Sequence, residues 1–402
     1  MVKNIIGIIA EYNPLHYGHV HHISEAARQT GASGIVVVLS SYFTQRGEPA
    51  LLSKWDRAEM ALRAGANLVL ELPVFFSCAS AGVFAGGGID LLAAAGVVNT
   101  VTFGMEDPGF SPAPILDILI HEPSSFKDYL KKYMKSGFSY VKARARALGD
   151  FDPAFEAFVS RPNNSLALSY MQRVLEKQYP LAIHPVLREG DCYRAETVSS
   201  PRASATALRR LLEDGKFKEA EPLIPPAGRE VLFPCIEAGR AVLSRETLWR
   251  IARSLLSRTP REELKGSAGM TEGMENRLMK FTSESATWEE FIAAAVSGRY
   301  PAGRVRRQVI HFLLGISREE RAALQREGPS YLRPLAADPK GRELLREMDG
   351  AAALPVRSKI PLTGSSSGSR LALLEHRAGE LWENLALRHA PGSEKKRRPF
   401  MG

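Results

Sequence analysis

The stretch IIGIIAEYNPLHYGH, from Ile5 to His19, places a short apolar run directly before an Asn-Pro turn and a pair of histidines. The apolar run shows no alternation, which is typical of a strand buried on both faces of a sheet. Helical spacing of apolar residues begins after Gly18, so His16 and His19 lie at a predicted strand-to-helix junction. Because they are three residues apart, both histidines occupy one face of that helix.

Such a junction suits the binding of a nucleotide phosphate. The first N–H groups of a helix lack intrahelical partners, and the helix dipole adds positive charge at the same end. Gly18 would let a nucleotide approach the backbone, while His16 and His19 would donate hydrogen bonds as charge builds on the α-phosphate. Two surface histidines at a helix start are the alternative interpretation, but the strand, turn and glycine favour phosphate binding.

Further apolar runs predict an α/β fold with a Rossmann-like parallel sheet. The runs are Ile35 to Ser40, Leu68 to Leu72, Val97 to Phe103 and, later, Leu181 to Leu187. Helical patterns separate them, at Trp55 to Ala64, Ala79 to Ala95, Ser124 to Ala147 and Asn164 to Lys177. Ligands bind at the carboxyl ends of such strands, so the segments of interest are Glu11 to His19, Ser40 to Gly47 and Gly104 to Asp107.

After Pro225 the pattern is helical throughout. The predicted helices include Arg245 to Leu256, Met274 to Glu284, Trp288 to Ser297 and Arg304 to Leu314. We therefore predict a catalytic, nucleotide-binding domain over residues 1–225 and a helical, basic domain over residues 226–402. A Ser/Gly-rich flexible connection is expected at Thr363 to Gly368, and a flexible basic tail at Glu394 to Arg398.

The composition indicates which kind of partner and which cellular compartment to expect. A net charge of +9 and a pI near 9.4 favour an anionic partner, either nucleic acid or a phosphorylated small molecule, although many basic enzymes bind no nucleic acid. Cys78, Cys192 and Cys235 are too widely spaced for a zinc knuckle or a disulfide framework. Neither a signal peptide nor a membrane span is predicted, so we expect a cytoplasmic protein.

A second candidate phosphate element is ASATALR, from Ala203 to Arg209. Ser204 or Thr206 would cap the following helix, and its open amides would face a phosphate beside the Arg209 guanidinium. A plain cap with a solvated arginine is the alternative. No Walker loop is present, and the triple glycine at residues 86–88 sits in a helical pattern.

Glu106 and Asp107 follow the fourth predicted strand. Their carboxylates are candidates for contact with Mg²⁺ or a ribose, although carboxylates in a loop are more often solvated. The metal ligands are therefore left open.

Several longer segments carry a family resemblance. They are GIIAEYNPLHYGH at Gly7, QRGEPALLSKWDRAEMALRAGANLVLELP at Gln45, FGMED at Phe103, RPNNSLALSYM at Arg161, GMENRLMK at Gly273, RYPAGRVRRQVIHFLLGI at Arg299 and KGRELLREM at Lys340. With these segments, nearly the whole chain resembles the bacterial tRNA(Met) cytidine acetate ligases, a branch of the HxGH nucleotidyltransferase superfamily.

The resemblance implies a two-step reaction that uses ATP, with Mg²⁺ carried on the nucleotide. Acetate first attacks the α-phosphate of ATP, and the resulting acetyl-adenylate then acylates N4 of the wobble cytidine of elongator tRNA(Met). The chemistry is reasonable because a conjugated exocyclic amine is a poor nucleophile that needs an activated mixed anhydride.

The resemblance also implies where the nucleotide binds. The residues concerned are Ile9, Ala10, Glu11, Tyr12, Asn13, Pro14, Leu15, His16, Tyr17, Gly18, His19, Val20, His21, His22, Gly104, Asn163 and Arg188, with Ser204, Thr206 and Arg209 from the second element. Leu15 stands where the family more often has an aromatic residue, and Ala203 replaces a larger hydrophobic residue. Asn163 with Asn164 could equally cap a helix, and Arg188 could be a surface charge.

A basic cluster in the second half is the predicted RNA surface. It consists of Arg299, Arg304, Arg306 and Arg307, with Lys280 and Lys340 adding charge. Such residues bind phosphates and set the register of a tRNA, whose target base must leave its stack. A solvated helix face is the alternative for each arginine. Two other functions stay open, a small-molecule adenylyl- or cytidylyltransferase and a non-catalytic RNA-binding protein.

Overall fold

The computed structural model describes residues 3–188, 203–359, 364–388 and 393–402. Its strands are β1 Ile5–Ala10, β2 Gly34–Ser40, β3 Leu68–Leu72, β4 Thr100–Met105, β5 Ala182–Leu187, β6 Pro334–Ala337 and β7 Phe400–Met401. The helices before residue 225 are α1 Tyr17–Thr30, α2 Lys54–Arg63, α3 Val74–Ser77, α4 Ala81–Ala94, α5 Ala113–His121, α6 Ser124–Lys135, α7 Tyr140–Gly149, α8 Pro153–Val159, α9 Pro162–Lys177, α10 Ala205–Glu213 and α11 Phe217–Ala220.

Helices dominate the rest of the described chain. They are α12 Pro226–Glu237, α13 Glu246–Arg258, α14 Arg261–Gly266, α15 Met274–Glu284, α16 Trp288–Ala295, α17 Ala302–Leu313, α18 Arg318–Glu327, α19 Pro339–Ala351, α20 Ser367–Glu383 and α21 Ser393–Lys396. None of the helices in the described ranges has the length and hydropathy needed to cross a bilayer.

The seven strands form one sheet in the order β5-β4-β1-β2-β3-β6-β7. Pairing is parallel from β5 to β3, and β6 joins β3 in the antiparallel direction. The strand order reverses between β1 and β4, which is the position where open α/β sheets bind their ligands. The predicted α/β class and the parallel, Rossmann-like arrangement are confirmed.

Both faces of the sheet are buried. Ile5, Val36 and Val38 point into one hydrophobic cluster, whereas Ile6 and Val37 point into another on the opposite face. Successive side chains of a strand alternate between faces, so a strand that is covered on both sides needs apolar residues throughout. This packing explains why β1, β2 and β3 appear in the sequence as predominantly apolar runs, with Glu71 as the single charged residue in β3.

The structure corrects three predictions about chain segments. The part after Pro225 is not helical throughout, because β6 and β7 add two strands to the sheet. The predicted helix from Ser124 to Ala147 is two helices, since Gly137 between them has a left-handed φ of 85°. The end of the Ser/Gly-rich connection begins a helix instead, since Ser367 and Gly368 belong to α20 and the Ser366 hydroxyl accepts a hydrogen bond from the Ser369 amide. Thr363 and Cys192 lie outside the described residues.

The basic tail is also anchored rather than flexible in its described part. Glu394 is buried, and its carboxylate accepts hydrogen bonds from the Tyr42 hydroxyl at 2.6 Å and the Lys54 ammonium at 2.9 Å. Beyond it, β7 pairs with β6. The acidic residue within a basic run is thus the anchor of the tail. The domain boundary predicted at residue 225 stays a prediction.

Lys54 is the centre of a buried ionic cluster that joins the two halves of the chain. Its ammonium contacts the carboxylates of Glu71, Glu375 and Glu394, and the Arg333 guanidinium pairs with Glu71 and Glu394. Three carboxylates face two cations, and burial raises the pKa of Glu375 to about 7. Partners more than 300 residues apart in sequence are therefore tied together in the protein interior.

Candidate active site

The histidine pair caps the first helix and fixes the tautomers of both rings. His16 is the N-cap of α1, and its Nδ1 accepts a hydrogen bond from the Gly18 amide at 3.1 Å. The His19 Nδ1 accepts one from the His16 amide at 3.2 Å. A neutral imidazole with an accepting Nδ1 carries its proton on Nε2. Each ring thus has one N–H donor left, and the rings stack with centroids 3.7 Å apart.

Burial and a nearby cation keep these rings neutral. Desolvation, together with the Arg188 charge, lowers the pKa of His16 to about 3. The same causes, with His16 adjoining, lower the pKa of His19 well below its usual value. Neutral rings whose Nδ1 atoms are occupied can only donate through Nε2, which is what an incoming phosphate oxygen requires.

The turn before the helix is held by its neighbours. The Asn13 side-chain oxygen accepts a hydrogen bond from the Leu51 amide at 2.7 Å, and the Asn13-Pro14 bond is cis. Tyr12 packs edge-on against His19 with centroids 5.0 Å apart. The second loop of the sheet therefore positions the histidine element.

A large cavity of about 2060 Å³ opens at the carboxyl ends of the strands. Sixteen of the predicted nucleotide-binding residues line it: Ile9, Ala10, Glu11, Tyr12, Asn13, His16, Gly18, His19, His21, His22, Gly104, Asn163, Arg188, Ser204, Thr206 and Arg209. Pro14, Leu15, Tyr17 and Val20 do not. Leu15 is fully buried in a hydrophobic cluster, so its departure from the usual family residue is a matter of packing.

Arg188 lines the cavity beside Asn163, to which it is hydrogen-bonded. Its guanidinium donates to the Asn163 side-chain oxygen at 2.9 Å, and the Asn163 amide group donates to Glu106 at 2.5 Å. Glu106 also accepts from the Asn164 backbone at 3.1 Å. Glu106 therefore holds the start of α9 through hydrogen bonds. Because its carboxylate oxygens already accept from protein donors, Glu106 is a poor candidate for a metal ligand.

The second predicted phosphate element is the capped start of α10, and its arginine, Arg209, is hydrogen-bonded to other protein groups. Ser204 caps α10 by accepting from the Ala207 amide at 3.2 Å. Arg209 donates to Glu213 at 2.9 Å and to the Pro49 carbonyl at 2.8 Å. The arginine thus lines the cavity but is neither solvated nor dedicated to a ligand, and its phosphate role stays a prediction.

Residues 45–48, after β2, contact three separate parts of the cavity wall, which the sequence pattern did not predict. The Gln45 amide donates to the Glu11 carboxylate at 2.7 Å, and Arg46 donates to the Thr206 hydroxyl at 3.0 Å. Glu48 accepts from Arg306 at 2.6 Å. This segment was of interest only because it ends a strand, and its contacts connect the histidine loop, α10 and α17.

The predicted RNA-binding cations differ in whether they line the cavity and in whether protein groups already bind them. Arg299, Arg304, Arg306 and Arg307 line the cavity, whereas Lys280 lies outside it with its ammonium 5.4 Å from the Phe281 ring centre. Arg306 and Arg307 are held by the 45–48 segment, since Arg307 donates to the Gln45 carbonyl at 2.8 Å. Arg304 donates to the Thr271 hydroxyl at 3.0 Å and pairs with Glu272 at 3.2 Å. Arg299 has no hydrogen bond or ion pair to any other residue in the described ranges.

Carboxylates near the cavity offer no preformed metal site. Glu11 accepts from Gln45, Glu48 pairs with Arg306, and Glu213 pairs with Arg209. Within the described residues, the grouping with metal-like spacing is Glu71, Glu375 and Glu394, and the Lys54 ammonium already lies among them. A divalent ion in the cavity would therefore depend mainly on oxygen atoms of a bound polyphosphate.

We expect the buried histidines to make stability fall in acid. Burial lowers the pKa of His22 from 6.5 to about 4, so below pH 6.5 the unfolded chain takes up a proton that the native ring refuses. This single ring should lower the free energy of unfolding by about 2 kcal/mol between pH 7 and pH 5. In urea unfolding at the two pH values, the difference should shrink by that amount in His22→Phe. An unchanged difference would disprove the assignment.

Comparison with known proteins decides the family. A model of the family described as HIGH Nucleotidyl Transferase matches residues 3–397. The tRNA(Met) cytidine acetate ligase of Acetivibrio thermocellus is 32% identical over 368 residues, which cover 89% of this chain and 88% of that protein. The protein of the same name from Syntrophomonas wolfei is 35% identical over 361 residues, covering 88% and 86%. This chain belongs to the tRNA(Met) cytidine acetate ligase family.

Solved structures agree with the membership of this family. The apo crystal structure of Thermotoga maritima TmcAL superimposes with a TM-score of 0.94 at 26% identity, covering 99% of both chains. A second crystal form of that protein, bound with alpha-thio ATP, gives a TM-score of 0.90 at 27% identity with the same coverage. The family resemblance inferred from the sequence is confirmed across the chain.

Proposed function

We propose that this protein is an ATP-dependent acetate ligase that acetylates the wobble cytidine of elongator tRNA(Met) at N4. The observation that carries the proposal is the pair of neutral imidazoles at the start of α1, with Nε2–H donors at a cavity on the carboxyl ends of β1 and β4. Family relatives carry this activity in their names, and a structural relative binds an ATP analogue.

In the first step an acetate oxygen attacks the α-phosphorus of ATP. The new P–O bond forms as the bond from the α-phosphorus to the bridging oxygen breaks, and pyrophosphate leaves with the electron pair. Negative charge grows on the α-phosphate oxygens, so fixed donors that need no reorganisation lower the barrier. His16 and His19 are the donors, and Arg188 adds positive charge beside them.

In the second step the cytidine N4 attacks the acetyl carbon. The bond from the carbonyl carbon to the phosphate oxygen breaks, AMP leaves with the electron pair, and N4 loses one proton to solvent water. The base must leave its stack to reach the adenylate. The cavity volume of about 2060 Å³ exceeds the roughly 300–1,000 Å³ of most small-molecule pockets, which leaves room for a nucleotide and an RNA base together.

ATP would bring Mg²⁺ as a substrate complex. Because Glu11, Glu48 and Glu213 are engaged with protein donors, the phosphate oxygens would supply most of its ligands. The tRNA substrate is consistent with the predicted cytoplasmic location.

The decisive assay uses purified protein, ATP, labelled acetate and elongator tRNA(Met) transcript. Label in the tRNA at cytidine N4 is the expected result. Pyrophosphate release without labelled tRNA would favour a small-molecule adenylyltransferase instead. Binding of tRNA with neither product would favour a non-catalytic RNA-binding protein. A transcript with uridine at the wobble position is the control, because it lacks the amine that accepts the acetyl group.

Arg299 is the cation best placed to bind an RNA phosphate. It lines the cavity rim, and no residue of the described chain pairs with it. We expect Arg299→Glu to raise the apparent KM for tRNA about tenfold and to reduce the slope of log affinity against log salt by about one. Arg326→Glu, an exposed change outside the cavity, is the matched control. Equal effects of both changes would reduce Arg299 to a general contribution to net charge.

A further inference from the structure

The cavity has an exposed aromatic ring in its wall that the acetylation chemistry has not used. Tyr140 begins α7, lines the cavity and keeps 53% of its surface exposed. It has no hydrogen bond or ring contact to any other residue in the part of the chain that the structure describes. The other exposed aromatic side chains of that part, Tyr17, Phe151 and Phe400, lie outside the cavity. Tyr140 thus lies at the mouth of the cavity, open to solvent.

The backbone places Tyr140 beside the unpaired arginine Arg299. The Ser139 amide donates to the Gly298 carbonyl at 3.0 Å, and the Ser139 hydroxyl caps α7 by accepting from the Lys142 amide at 3.4 Å. Tyr140 and Arg299 each directly follow one residue of this backbone contact, and neighbouring Cα atoms are about 3.8 Å apart. Because both side chains also line the cavity, the ring and the guanidinium share one part of its mouth.

A tight turn before α17 holds Arg299 in place. The amides of Ser297 and Tyr300 each donate to the carbonyl of the other residue at 3.1 Å, so Gly298 and Arg299 form the tip of the turn. No hydrogen bond or ion pair engages the Arg299 side chain within the described ranges. An unpaired guanidinium on a fixed backbone needs little further ordering when it binds an anion.

The acidic side chains that α8 and α16 contribute to the cavity are already paired. Glu156 lies 3.2 Å from Arg146, and Glu289 lies 3.7 Å from Arg245. The positive charge of Arg299 therefore remains available at the mouth. A cation beside an accessible aromatic ring is the combination that binds single-stranded nucleic acids, because the cation contacts the backbone and the ring stacks on a base.

We propose that Tyr140 stacks on the base next to the acetylated cytidine, while Arg299 binds the phosphate that joins the two nucleotides. The cytidine must leave its stack to enter the cavity, so each neighbouring base loses a stacking partner at the mouth. An aromatic ring that replaces this contact offsets part of the cost of removing the cytidine. The inference rests on the proposed function, because the stacked base belongs to the RNA that is acetylated.

The adenine of ATP is a second flat base of similar chemistry, but the position of Tyr140 favours the RNA. None of the predicted nucleotide-binding residues belongs to α7 or to the turn at residues 297–300. His16, which is predicted to bind the α-phosphate, is buried, whereas Tyr140 is exposed. The ring therefore lies at the open side of the cavity, where the bases on either side of an inserted cytidine remain.

The test measures the affinity of elongator tRNA(Met) and of two copies with an abasic residue on one or the other side of the wobble cytidine. We expect the wild-type protein to bind one abasic RNA about tenfold more weakly than the intact RNA. Tyr140→Leu should bind the intact RNA about tenfold more weakly than the wild type does. It should not respond to that abasic residue, because the ring and the base form one interacting pair.

Two further variants separate stacking from other effects. Tyr140→Phe keeps the ring and should retain the affinity within about twofold. Phe151→Leu, an exposed aromatic change outside the cavity, is the matched control and should leave the affinity unchanged. Tyr140→Leu should also leave the slope of log affinity against log salt unaltered, since it removes no charge.

Unchanged affinity in Tyr140→Leu would overturn the inference, as would a loss that adds in full to that of either abasic residue. A similar loss in Tyr140→Phe would assign the effect to the hydroxyl and would overturn it as well. If the KM for ATP in pyrophosphate exchange rises while RNA binding persists, the ring contacts adenine and the inference is wrong. A wild-type protein that neither binds nor labels tRNA would contradict the proposed function, whereas labelled tRNA with additive losses contradicts this inference alone.

Discussion

Replacing His19 with alanine is expected to slow acetate-dependent ATP–pyrophosphate exchange by about 10²–10³-fold. The ring is neutral, and its Nε2–H is the donor that meets charge growing on the α-phosphate. Affinity for tRNA should stay within about twofold, because the RNA contacts proposed here lie on other elements. Exchange measurements and tRNA binding on the same preparation check both statements.

The matched variant is His19→Gln. The His19 ring also accepts from the His16 amide and so completes the cap of α1. Glutamine at this third helical position can replace that cap but not the imidazole. If His19→Gln restores the exchange rate, the ring serves only the fold, and its catalytic assignment is wrong. His121→Ala, an exposed change outside the cavity, should leave the rate unaltered.

Lys54→Met is expected to lower the free energy of unfolding by about 3–5 kcal/mol. The change leaves Glu71, Glu375 and Glu394 buried together with Arg333 as their remaining cation. Uncompensated buried charge is costly, and Glu375 should then take up a proton near neutral pH. Urea unfolding at pH 7, followed by circular dichroism, gives the measurement.

Arg63→Met is the control for this change. Arg63 pairs with Glu59 at 2.9 Å and with Glu230 at 2.6 Å, but its side chain is 41% exposed, so losing these surface pairs should cost about 1 kcal/mol at most. If the two substitutions destabilise the protein equally, the buried cluster does not hold the C-terminal segment to the sheet. Because Glu394 belongs to the cluster, Lys54→Met should also make the segment from residue 393 onward easier to cleave by protease.

The parts of the fold that follow from local pattern were predictable from the sequence. The strands β1, β2 and β3 are predominantly apolar because both faces of the sheet are covered, and helix α15 was predicted with its observed bounds. The short strands β6 and β7 were missed, since four or two residues carry no period that separates them from a helical background.

The candidate site was likewise predictable where it depends on local sequence pattern. The histidine element and the lining residue Gly104 follow from the order of strand, turn and helix. Contacts between distant segments do not, so the pairing of Arg306 with Glu48 could not be foreseen, and the RNA contact of Arg306 stays a prediction. Glu394 was likewise hidden in a run of lysines and arginines, although its carboxylate is buried.

The most direct test is a crystal structure of this protein with a non-hydrolysable ATP analogue. We predict that oxygens of the α-phosphate lie within about 3.2 Å of Nε2 of His16 and His19, with Arg188 beside the phosphates. A triphosphate bound elsewhere, with both imidazoles turned away from it, would contradict the account.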